Sequence, residues 1–103
     1  MSMRFITYLL ILPLLILSLP ISAQPKILTF GVVPQQAPSK LARQWGPILQ
    51  HLSKQTGLKL QFATASSIPE FEQRLAKGDY DLAYMNPYHF TLFSQDPGYR
   101  ALA

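Results

Sequence analysis

The chain has 103 residues and no cysteine, which excludes a disulfide scaffold and a thiol nucleophile. Its formal net charge of +4 comes from 9 basic and 5 acidic side chains that form no run, the mark of an ordinary solvated surface rather than of a nucleic-acid binder.

Residues 1–23 read as a secretory signal peptide. Arg4 gives a positive start, Phe5 to Leu19 is an almost unbroken apolar stretch, and Pro20 with Ile21-Ser22-Ala23 supplies a breaker and a small residue before Gln24. The rival, an uncleaved membrane anchor, wants roughly 20 apolar residues, and Pro13 interrupts a run already shorter than that. With no cysteine at the boundary, a lipid anchor is not expected. Cleavage after Ala23 removes Arg4 and leaves 80 of the 103 residues, with 8 basic against 5 acidic groups. Export without disulfides points to a bacterial periplasm.

Lys26 to Val33 (KILTFGVV) is nearly all apolar and rich in β-branched and aromatic residues, as in a strand buried on both faces. Pro34 ends it, Gln35 to Pro38 form a loop, and Ser39 is expected to cap a helix. In that helix Leu41, Ala42, Trp45, Ile48, Leu49 and Leu52 make one apolar stripe, Gly46-Pro47 should kink or split it, and Gly57 stops it. Leu58 to Ala63 alternates, as a strand nearer a sheet edge does. Ser67 and Glu70 match the capping box of a short helix with Phe71, Leu75 and Ala76 on its core side, closed by Gly78. Asp81 to Met85 is a third strand. Asn86 then caps a third helix, with Pro87 at its first position and its end near Ser94.

The order βαβαβα implies an α/β fold with a parallel three-strand sheet and right-handed crossovers. Strand orders 2-1-3 and 3-2-1 are both possible. The uniformly apolar first strand belongs at the centre and the amphipathic second at an edge, which favours 2-1-3. After the turn Gln95 to Arg100, Tyr99 to Ala103 reads as a strand starting up, and 80 residues bury only a modest core. Residues 24–103 are therefore expected to be the front of a longer protein.

In an open parallel sheet, ligands bind beyond the carboxyl ends of the strands where neighbouring connections diverge. Order 2-1-3 puts that crevice between the loop Pro34 to Ser39 and the turn Met85 to His89, each leading into a helix N-terminus suited to an anion. Tyr84, Asn86, Tyr88 and His89 gather there, with Gln35, Gln36 and Ser39 in the first loop. Each has a plainer reading: turn residue, cap, or core aromatic. His89 and His51 read as helix-surface residues and Trp45 as core. No Gly-x-Ser-x-Gly elbow, His-Glu-x-x-His pair, phosphate-cradling glycine loop or metal-ligand cluster is present in the sequence, so binding rather than turnover is expected, with no cofactor.

Gly31 to Pro34 (GVVP), the helix segment WGPILQHLSKQTGLKL, and Phe71 to Phe90 (FEQRLAKGDYDLAYMNPYHF) together resemble the periplasmic substrate-binding proteins of phosphate, phosphite and phosphonate ABC transporters. The resemblance runs from Lys26 to Ala103. It implies the type 2 periplasmic binding protein fold, two α/β lobes that close on an oxyanion and deliver it to a membrane permease, with this chain the first part of lobe 1. It further implies Gln35, Gln36 and Ser39, then Tyr84, Asn86, Pro87 and Tyr88, as ligand-facing positions. The same lobe also serves as the periplasmic sensor of membrane-bound signalling proteins such as histidine kinases, which is the alternative function.

Overall fold

Residues 26–103 are described by the structure, a computed structural model; the expected leader and the expected start at Gln24 lie outside the described residues. Six elements alternate along them: β1 (Ile27–Val32), α1 (Pro38–Thr56), β2 (Lys59–Ala63), α2 (Ile68–Lys77), β3 (Leu82–Tyr84) and α3 (Pro87–Phe93). The sheet is parallel, in order β2-β1-β3, so the α/β expectation with order 2-1-3 holds. β1 is central because every one of its residues is compatible with burial on both faces, whereas Lys59 and Gln61 of β2 need water and are exposed. The register aligns Phe30 with Phe62 on one side and with Leu82 on the other.

Alternation along the strands sorts the side chains into two layers. Phe30 and Tyr84 lie on the face covered by α1, where Trp45 packs on both rings, at 5.5 and 4.8 Å between centroids. Gly31, Val33, Ala63 and Ala83 point the other way, toward α2 and α3. There Val33, Ala65, Phe71, Leu75 and Tyr80 form the buried core, with Met85, Phe93 and Tyr99 packed at its margin. Leucine and phenylalanine from α2 meet a floor of small residues, which lets a short helix sit close to the sheet.

Four local expectations are corrected. Ser39 does not cap α1: the helix begins at Pro38, Ala37 holds the cap position, and no side chain bonds into the first turn. Proline at the first helical position starts the helix two residues earlier than a cap at Ser39 would allow. Gly46-Pro47 does not split the helix, which runs unbroken from Pro38 to Thr56; the proline forfeits one backbone bond, and packing of Leu41, Trp45 and Leu49 on the sheet holds the rest. The apolar stripe is only half covered, with Ala42, Ile48 and Leu52 exposed, as is Ala76 of α2. A 19-residue helix is about 28 Å long, and strands of three to six residues reach only about 10–20 Å. Lastly, Tyr99 to Ala103 forms no strand. Tyr99 is an anchor instead: its N–H donates to Phe93 O at 2.8 Å and its hydroxyl to Tyr80 O at 2.8 Å.

Candidate functional site

The two loops expected to form the crevice leave the sheet at the same level. Val32 pairs with Tyr84 in register, and the Val33 N–H donates to Tyr84 O at 3.0 Å, so β1 and β3 stay joined up to the point where both chains turn away. Beyond it a tight turn, Gln35 N–H to Val33 O at 2.9 Å, swings Gln35 and Gln36 outward. Both glutamines are exposed, as is Ser39 in the first turn of α1. On the other side Tyr84 is 53% exposed and Tyr88 64% exposed, with Asn86 half-buried between them. Thr64, in the connection after β2, is tied to the same rim by its hydroxyl, which donates to Val32 O at 2.7 Å.

Asn86 is a helix cap, as one of its two readings held. Its Oδ1 accepts from the His89 N–H at 2.8 Å, and Pro87, with no N–H to satisfy, occupies the next position. With Oδ1 committed, the side-chain amide NH2 is the group Asn86 has left to offer a ligand. α3 has seven residues and its first turn is already capped, so its contribution to anion binding rests on side chains more than on a helix dipole. α1 is different. It is long, its first turn contains no acidic residue and no side-chain cap, and Lys40 lies in that turn. Among the three helices, the N-terminus favourable to an anion is therefore that of α1.

A groove of about 1070 Å³ runs along the free edge of β3. Tyr84, Asn86 and Pro87 line it together with Phe30, Leu82 and the closing residues Tyr99 to Ala103, whereas Gln35, Gln36, Ser39 and Tyr88 do not. The groove is mainly apolar, and the polar loops stand at the rim beside it. The predicted residues thus share one end of the sheet without sharing one cavity.

His89 corrects the sequence reading most clearly. It is 1% exposed, not a surface residue. Its ring lies among Phe71, Tyr88 and Phe93, and Nε2 is 3.0 Å from Glu72 Oε1 on α2. Polarity suggested the surface, but the spacing held the better signal: His89 and Phe93 are four apart and share the inward face of α3. Glu72, Tyr80 and Tyr99 were likewise not singled out by the sequence, and nothing local to them marks their partners, which come from other elements.

The family model for the periplasmic substrate-binding protein of phosphonate ABC transporters matches residues 30–103. The chain belongs to that family. It is 29% identical over 68 residues to the Phosphate-import protein PhnD of Mycolicibacterium smegmatis, a match that takes in 66% of this chain and 21% of that protein. In structure it resembles a binding protein component of an ABC phosphonate transporter from Pseudomonas aeruginosa, with a TM-score of 0.64 at 19% identity over 70% of this chain and 24% of that one. The chain thus spans about a fifth to a quarter of the length of these two family members. The structural likeness bears on the fold, which is that of a periplasmic binding protein lobe.

Proposed function

We propose that this chain contributes to the solute-binding component of an ABC importer and that its ligand is a phosphate-like oxyanion: a phosphonate, phosphite or phosphate. The observation that carries the proposal is the shared exit of β1 and β3, from which one connection leads into the uncapped, acid-free first turn of α1 and the other into Asn86 and Tyr88. Ser39 and the side-chain amides of Gln35 and Gln36 are the proposed donors on one side. The hydroxyls of Tyr84 and Tyr88 and the amide of Asn86 are the donors on the other, with Pro87 shaping the turn. Such a ring of neutral donors with one flexible lysine suits a small anion that has to be released again.

The family description names a transporter component, which favours delivery to a membrane permease over the signalling alternative. Residues 24–103 are proposed to be part of the amino-terminal lobe, reaching the periplasm through cleavage after Ala23. Among the described residues no helix is long and apolar enough to cross a membrane.

The test is calorimetric titration of the full-length protein with phosphate, phosphite and methylphosphonate, comparing wild type with Tyr88→Phe. Tyr88 is the clean probe because its ring is exposed and its hydroxyl takes no part in the cap. Loss of one hydrogen bond to a charged ligand weakens binding by about ten- to hundredfold at an unchanged melting temperature. Equal affinity of the two proteins for all three anions would overturn the assignment.

A further inference from the structure

We infer that Glu72 and His89 are positioning residues of the proposed oxyanion site: they hold the Asn86–Tyr88 turn to α2 and so fix which atoms that turn presents. The inference rests on the binding reading above and goes beyond it to residues that touch no ligand.

His89 is bonded at two of its atoms to two different partners. Its backbone N–H donates to Asn86 Oδ1 at 2.8 Å, and its Nε2 meets Glu72 Oε1 at 3.0 Å. An ionised carboxylate only accepts, so Nε2 carries the hydrogen and donates. In the neutral ring Nδ1 is then a bare lone pair, and Nδ1 is indeed buried without a partner. An unpartnered lone pair is a smaller burden than an unpartnered N–H, and the arrangement selects one tautomer and one ring orientation.

The consequence for the turn is geometric. Asn86 Oδ1 accepts from the His89 N–H, and this leaves the amide NH2 as the part of the side chain not used by the cap. The His89 N–H is where it is because the ring is clamped, by Glu72 on one side and by Phe71 and Phe93 around it. Tyr88 precedes the clamped residue directly, with its ring 6.3 Å from the His89 ring. α2 supplies a rigid base: Phe71 and Leu75 are fully buried in the core, and its own N-terminus is capped by Ser67. Glu72 stands on that helix with its side chain 37% exposed and its carboxylate aimed at a buried ring. For hydrophobic packing alone the position of His89 would suit a leucine. A histidine with a carboxylate partner adds direction, which packing does not.

The experiment uses the full-length protein, as wild type, Glu72→Ala, Glu72→Gln and Tyr88→Phe. Amide hydrogen exchange at His89, read relative to the Val32 amide in β1, tests the clamp without any ligand. Titration with phosphate and methylphosphonate tests its effect on the site. Glu72→Ala is expected to speed relative exchange at His89 by about fivefold, the equivalent of a weakened cap. It is also expected to lower affinity for both anions by about five- to tenfold. Glu72→Gln keeps an oxygen that accepts from Nε2–H and is expected to restore both readouts to near wild type. A Glu72→Ala protein with a lower melting temperature but unchanged relative exchange and unchanged affinity would overturn the inference, leaving the pair as packing only. So would a Glu72→Gln protein as impaired as Glu72→Ala. If Tyr88→Phe binds both anions as wild type does, the binding reading itself fails and takes the functional half of the inference with it, while exchange at His89 still decides whether the clamp exists.

Discussion

At the residue scale, Gly31 and Glu70 show how much can rest on one position. Gly31 lies in the central strand, where a glycine is usually a loss. A Cβ there would lie 2.5 Å from Tyr80 Cγ, and that ring is 3% exposed and stacked on Phe71 at 5.1 Å. The ring cannot swing aside without opening the core. Gly31→Ala is therefore expected to destabilise the fold by about 1–3 kcal/mol. Denaturant unfolding measures it, and an unchanged midpoint would mean that the ring has room to move. Glu70 serves its helix differently from a plain capping box. Ser67 Oγ accepts from the Glu70 N–H, but the Glu70 carboxylate reaches past Ser67 to bond the N–H and hydroxyl of Ser66, and it also pairs with Arg74 at 2.6 Å. The Ser66 hydroxyl first, and then the Ser66 N–H and Arg74, hold its pKa below the ordinary 4.5. A carboxylate with a lowered folded pKa stabilises the fold above the unfolded value and loses that contribution as pH falls through the folded one. Melting temperatures measured from pH 6 down to pH 3 should consequently fall more steeply below 4.5 for wild type than for Glu70→Gln, and parallel curves would remove Glu70 from the acid response.

At the element scale, the turn from β3 into α3 joins structure and proposed function in one asparagine. Substituting Asn86 by alanine removes both the cap and the amide, so it lowers stability by about 1 kcal/mol and confuses the two roles. Aspartate separates them. Asn86→Asp retains an oxygen that accepts from the His89 N–H, but it replaces the remaining NH2 with a second carboxylate oxygen that repels an oxyanion. The expected result is a melting temperature near that of wild type together with phosphate affinity lowered by at least about tenfold. Retained affinity in Asn86→Asp would show that the asparagine is a cap and nothing more. The asymmetry between α1 and α3 belongs to this scale as well. Pro38 starts α1 without any capping side chain, whereas Asn86 completes the first turn of α3. A helix that leaves its first donors unpaired has more to give an anion than one that has satisfied them.

At the scale of the whole molecule, the three-strand sheet has two free edges among the described residues, along β2 and β3. Lys59 and Gln61 give the β2 edge some protection, since charged and polar side chains discourage pairing. β3 itself, Leu82–Tyr84, carries no charged side chain: its edge opens on the largely apolar groove, where Leu52 and Phe90 are exposed. A segment of residues 24–103 expressed by itself is expected to associate. Its sedimentation and its thermal melt should both depend on concentration over a range of about 5–200 μM, the span in which exposed strand edges recruit one another. A sharp melt independent of concentration would show that the lobe segment is self-sufficient.

The sequence by itself determined the order of elements, the parallel sheet and its 2-1-3 arrangement, because these follow from signals carried locally: hydrophobic period, Gly57 and Gly78 past helix ends, Ser67 and Asn86 as caps, and the apolar continuity of β1. It also named the loops that leave the sheet together, since strand order and parallel pairing leave little choice in where connections emerge. It misplaced the start of α1 by favouring Ser39 over Pro38, and it left His89 on the surface, because a polar residue on a short helix gives no sign of the carboxylate that will meet it from 17 residues away. Only the tertiary structure decided which half of the α1 stripe is covered, that Tyr99 anchors rather than extends the sheet, that Gly31 makes room for Tyr80, and that Glu72 and His89 tie the proposed binding turn to α2. The physical reason is common to all four. Periodicity and capping are properties of neighbours along the chain, whereas burial, close approach and hydrogen-bond partnership are set by residues that folding alone brings together.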